Sequence, residues 1–107
     1  MDIIKVKSVS RTAGVAGAIA GVFRDNMHAE VQAIGAGAVN QAVKALVLAK
    51  NFLEQDNIDV VFTPEFVNVE IDGKVRTAIR FNVVLKETDK MSEEEPEPGL
   101  ESEPETE

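Results

Sequence analysis

Ile71-Asp72-Gly73-Lys74-Val75-Arg76-Thr77-Ala78-Ile79-Arg80-Phe81-Asn82-Val83-Val84-Leu85-Lys86 decides the fold class of this chain. Asp72-Gly73 reads as a two-residue hairpin turn, because both residue types tolerate the positive φ such a turn requires. Beyond it the pattern alternates. Val75, Thr77, Ile79, Phe81, Val83 and Leu85 share one side, and Arg76, Arg80 and Lys86 the other. Residues 58–71 supply the partner strand, with a bulge or bend expected at Thr63-Pro64. A chain that closes on an antiparallel hairpin is not a run of repeated parallel units. The class is therefore α+β rather than doubly wound.

Moving towards the N-terminus, residues 40–53 give the strongest helix. Val39, Val43, Leu46 and Leu53 form one apolar stripe, and Ala45, Leu48 and Phe52 a second. Gln41, Lys44, Asn51 and Gln55 form the polar stripe. A helix packed on one sheet needs only one apolar face. The surplus implies burial on two sides, against sheet and first helix or against a second copy of the chain. Gly35-Ala36-Gly37-Ala38 ahead of it reads as a tight glycine loop, and residues 29–34 as a short strand. Residues 13–24 form a helix through Val15, Ile19, Val22 and Phe23, with Ser10 and Thr12 offering hydroxyls to cap it. Gly14, Gly17 and Gly21 lie near one face of that helix. Each costs roughly 0.8–1.0 kcal/mol against Ala, so a compensating close approach is expected there. Ile4 and Val6 alternate with Lys5 and Lys7 in an opening half-buried strand. The order is β-α-β-α-β-β, a mixed four-stranded sheet with two helices on one face.

Charge divides the chain of 107 residues in two. Residues 88–107 carry Asp89 and eight glutamates against Lys90, a net −8. The whole chain has 19 acids and 11 bases, also −8, so residues 1–87 hold ten of each and are neutral. Residues 1–87 read as one domain. Residues 88–107 have too little apolar surface to offset chain entropy and read as a disordered acidic tail. With no cysteine, disulfides, thiol catalysis and cysteine-bound zinc are excluded. His28 is the only histidine and reads as an ordinary helix-end residue. The carboxylates Glu30, Asp56, Glu65 and Glu70 form no pair around a cleft that the pattern can place. The chain is expected to be non-enzymatic, with no cofactor and no metal. No basic segment precedes an apolar run, and no run reaches the ~20 residues of a membrane span. A cytoplasmic protein is expected, with nucleoid association as the finer expectation.

Two constellations carry chemistry. Residues 34–40 follow a strand and open a helix, where glycines let backbone N–H groups meet a phosphate. Asp56 and Asp59 lie about 20 residues further on, as the acid of a dinucleotide fold would. Asn40 stands at the third glycine position and the chain ends in a hairpin, which leaves a plain turn or a phosphate contact. The second constellation is basic: Lys5 and Lys7 on the first strand, Arg76, Arg80 and Lys86 on the last, Lys74 at the turn and Arg11 in the first loop. If those strands neighbour each other, the charges form one stripe. Such a stripe is either a solvated face or a set of phosphate contacts, which need no sequence motif.

Residues 15–22 (VAGAIAGV), 34–45 (IGAGAVNQAVKA) and 71–79 (IDGKVRTAI) together resemble the stage V sporulation protein S family, over about residues 3–86. The resemblance implies an Alba-like fold and a role in sporulation or a related bacterial developmental process. The wider Alba-like superfamily is similar in element order. It implies a homodimer that binds DNA or RNA through the first loop, the glycine loop and the final hairpin. By position these are Arg11, Gly35 with Gly37, and Lys74 with Arg76, to which the residue reading adds Lys5, Lys7 and Arg80. The first loop lacks the paired lysines typical of archaeal Alba, and Ala36 stands where a basic residue is common there. The alternative is a protein-interaction or scaffolding factor that kept the fold without binding nucleic acid.

The tail follows directly on the strand carrying Arg76, Arg80 and Lys86. A tethered polyanion competes with nucleic acid at high effective concentration, most strongly at low salt. Deleting residues 89–107 should tighten binding at low salt in a fluorescence titration, with the gain shrinking as salt rises. Equal affinity at low salt would leave the tail a solubilising segment.

Overall fold

A computed structural model describes residues 3–87. The elements run β1 (Ile3–Val6), α1 (Thr12–Asn26), β2 (Ala29–Ala33), α2 (Ala36–Glu54), β3 (Val60–Ile71) and β4 (Lys74–Leu85). The order β-α-β-α-β-β and the α+β Alba-like class are as expected. The sheet order is β1-β2-β4-β3, parallel between β1 and β2 and antiparallel elsewhere. The expectation for residues 88–107 lies outside the described residues.

The hairpin forms where Asp72 (φ 51) and Gly73 (φ 78) both adopt positive φ, as a type I′ turn demands. From it the register runs unbroken from Ile71↔Lys74 to Val60↔Leu85. The bulge expected at Thr63-Pro64 is absent. Pro64 lies seven residues before the turn-closing Ile71, an odd count that makes its pairing with Phe81 a non-hydrogen-bonded one and places its nitrogen on the outer side of β3. Because β3 is an edge strand, the missing N–H removes no ladder bond and nothing has to bend.

Alternation puts Ile79, Phe81 and Val83 of β4 under the helices, with Val31 of β2 and Val6 of β1. From α1 come Ala16, Ile19, Ala20 and Phe23, and from α2 come Ala38, Ala42, Ala45, Leu46, Ala49 and Leu53, all buried. Alanine at so many contact positions allows close helix packing. The two-sided burial of α2 is thus met partly by α1 and the sheet. Val43, read in one stripe with the buried Leu46 and Leu53, is instead 43% exposed, and Val47 is 53% exposed, so an apolar strip remains outside.

Two local readings are corrected. The hydroxyls near α1 do not cap it: Arg11 is the N-cap and makes no side-chain bond. Ser10 Oγ accepts from the Lys7 backbone N–H (2.8 Å), closing the turn after β1. Thr12 Oγ1 and the Ser10 carbonyl accept from the Gln41 amide (3.3 and 2.7 Å), tying this turn to α2. The glycine loop is not wholly a loop either. Only Gly35 lies outside the helix, as N-cap with φ 93 and ψ 155, a region open in practice to glycine alone. Ala36, Gly37 and Ala38 already form the first turn. Helix propensity argues against Gly37 there, and a tertiary contact overrides it: a Cβ on Gly37 would stand 2.9 Å from Ser8 Cβ.

The close approach expected for the α1 glycines is not made within the described residues, since a Cβ at Gly14, Gly17 or Gly21 meets nothing within 4 Å. Gly17→Ala should therefore stabilise the fold by roughly 0.8–1.0 kcal/mol. Gly37→Ala should destabilise it by about 1–3 kcal/mol through overpacking. Urea denaturation of the two variants checks the opposite signs.

Candidate nucleic-acid interface

The sheet face away from the helices carries the cations. Register fixes one row across three strands: Lys5 lies opposite Gln32, and Gln32 opposite Arg80. β1 and β4 are therefore not neighbours, which corrects the simplest form of the expected stripe. β2 lies between them, and Gln32 bridges the gap by accepting from Arg80 Nη2 at 3.0 Å. Gln32 is the polar residue buried in this sheet, 8% exposed. Adjacent strands are about 4.8 Å apart, so the Lys5 and Arg80 backbones lie roughly 10 Å from each other.

One end of this row opens into a cleft of about 700 Å³. Its lining includes Lys5, Lys7, Arg80, Gly35 and Gly37, so five of the eight sequence-derived residues meet there. Ser8 and the first turn of α2 form one side, and Val69, Glu70 and Ile71 of the hairpin another. Lys74 and Arg76 do not line it. They pair with Ile71 and Val69, so they border the hairpin wall from the next strand. Arg11 is exposed at the start of α1, outside the cleft.

The electrostatics follow from what is missing at the start of α2. The first N–H groups of a helix have no partner within it. Here Gly35 supplies no side-chain cap and the first turn holds no acid. The positive end of a 19-residue helix thus faces the same space as Lys5 and Lys7.

Ion pairs gather elsewhere. Arg24 pairs with Asp56 (2.9 Å), Lys50 with Glu54 (2.7 Å) and Asp59 (3.2 Å), and Lys86 with Asp59 (3.8 Å). Hydrogen bonds to Glu54 and then Asp59 raise the Lys50 ammonium above the ordinary lysine value. Among the described residues, Lys5, Lys7, Arg11, Lys74, Arg76 and Arg80 have no ion pair. The neutral sum over residues 1–87 therefore hides a separation of charge.

Arg80 is the clearest case. Glu65 lies directly opposite it in the sheet, yet accepts from Asn82 Nδ2 at 3.2 Å instead. Arg80 Nε is fully buried without a partner among the described residues. An unsatisfied buried donor costs about 1–3 kcal/mol.

The sequence reading missed Gln32, Ser8 and the hairpin wall. Gln32 left a signal, a polar side chain in an otherwise apolar short strand. The wall left none, because Val69 and Ile71 alternate as ordinary strand residues do.

No described helix is long and apolar enough to cross a membrane. The family model for Stage V sporulation protein S (SpoVS) matches residues 2–86, nearly all of the described chain.

Proposed function

The chain belongs to the stage V sporulation protein S family, a sporulation-related group of small regulatory proteins, and from that premise we propose that it is a non-enzymatic regulator that binds backbone phosphates of DNA or RNA. The convergence of Lys5, Lys7 and Arg80 on the uncapped start of α2 carries this reading. Phosphate contacts need positive charge at a fixed spacing and no catalytic group. Lys74 and Arg76 extend the same field along the hairpin.

The acting unit is a homodimer. Val39, Val43 and Val47 recur every four residues along α2. Val39 and Val43 line a groove with Phe66, Thr77 and Ile79, and Val47 lies exposed one turn further on. Phe66 is 78% exposed in the single chain. An apolar row of this kind marks a protein contact. It also favours the second reading, a protein-interaction factor, if its occupant is another protein.

One phosphate at the cleft and one each at Lys74 and Arg76 give about three per chain and about 6 per dimer, so log K should fall with log salt at a slope of roughly −5 on duplex DNA. Arg80→Ala should make that slope shallower by about 2 and weaken all sequences alike. An unchanged slope would move the contact off the cleft. Light scattering at micromolar concentration should give twice the chain mass, and Val47→Lys should return it to a monomer. A monomer mass for the unaltered chain, with no nucleic-acid binding, would favour the protein-interaction reading.

A further inference from the structure

We propose that the cleft is a socket for one terminal nucleotide, its phosphomonoester seated at the start of α2 between Lys5 and Lys7. The inference rests on the nucleic-acid reading above and names the part of the polymer the site takes.

Size is the first argument. A volume of about 700 Å³ falls in the roughly 300–1,000 Å³ range of small-ligand sites. Ser8 with the first turn of α2 bounds it on one side and the hairpin residues Val69–Ile71 on another. A groove that tracks the middle of a strand is instead lined by stacking aromatics. No lining residue of this cleft is aromatic.

Charge is the second. A phosphomonoester carries about −1.5 to −2 at neutral pH, against −1 for an internal diester. Two lysines and an arginine against Glu70 leave a net +2 here beside a helix N-terminus, more positive charge than one diester calls for. Arg80 adds an independent sign of an absent acceptor. It forms no ion pair with the facing Glu65, and while its Nη2 bonds Gln32, its buried Nε–H is left without a partner among the described residues. A phosphate that draws the guanidinium towards it relieves that orphan and adds a charge-assisted bond.

The remaining lining suits the rest of a nucleotide. Ile34, Val69 and Ile71 give apolar surface for a base or sugar, and Glu70 on the hairpin wall accepts from a sugar hydroxyl or base amino group.

The test titrates the full chain with short fluorescent single strands of one sequence, bearing a 5′-phosphate, a 3′-phosphate or hydroxyls at both ends. Adenosine monophosphate serves as competitor. One terminal phosphate should tighten binding at least about tenfold, a difference of ~1.4 kcal/mol. Adenosine monophosphate should displace that strand. Lys7→Ala and Arg80→Gln, each checked for native circular dichroism, should abolish the difference between strand ends. Equal affinity for phosphorylated and hydroxyl-ended strands overturns the socket and leaves backbone binding standing. Binding of adenosine monophosphate without binding of any strand upholds the socket, with a free nucleotide as its source, and overturns the nucleic-acid reading. No binding of either overturns both.

Discussion

The approach of Ser8 to the first turn of α2 is the constraint on which the rest of the structure depends. It is possible only because residue 37 has no side chain: a Cβ there would lie 2.9 Å from that of Ser8. The contact seats the turn after β1 against the start of α2, and Gln41 locks it with bonds to the Ser10 carbonyl and the Thr12 hydroxyl. Lys5 lies on the strand that ends in this turn, and Lys7 directly follows that strand. Their charges therefore face the unsatisfied N–H groups of α2, and one packing contact sets the geometry of the candidate site.

Electrostatic separation makes that geometry useful. Carboxylates near the C-terminal end of α2 are engaged with Arg24, Lys50 and Lys86. The hydrogen bonds to Glu54 and Asp59 raise Lys50, so their contribution is present throughout the neutral range and is lost only as pH rises through its raised value. At the N-terminal end of α2, some 19 residues away, the cations are left without carboxylate partners among the described residues. Net charge alone describes the folded part as neutral. Its arrangement gives a positive cleft at one end and a compensated cluster at the other, which is what an anion approaching the surface meets.

Much of the fold was legible because it rests on periodicity. The alternation in β4, the turn at Asp72-Gly73 and the stripe of α1 through Ile19 and Phe23 are local patterns, and each appears where expected. The misreadings share one cause. Gly37 disfavours a helix locally and Pro64 disfavours a regular strand, but a tertiary contact and an edge position respectively reverse those preferences. The site was half legible in the same sense. Residue types named Lys5, Lys7, Arg80, Gly35 and Gly37, and only strand order reveals that Gln32 lies between the two basic strands and bonds Arg80. The outward apolar row of α2 was visible as surplus hydrophobicity, while the side that stays exposed, Val43 and Val47, needed the packed structure.

The central claim is that phosphate is held where Lys5, Lys7 and Arg80 meet the start of α2. The most direct measurement is two-dimensional ¹H–¹⁵N NMR of the protein titrated with single-stranded nucleic acid, following the backbone amides of residues 35–38 and the Arg80 Nε–H together. The account predicts that these signals shift in concert and saturate, with the Nε–H moving downfield as it gains an acceptor, while amides around Lys50 and Asp59 stay fixed. Shifts confined to the hairpin tip, or to the Val43 and Val47 face of α2, with the start of α2 unmoved, would contradict it.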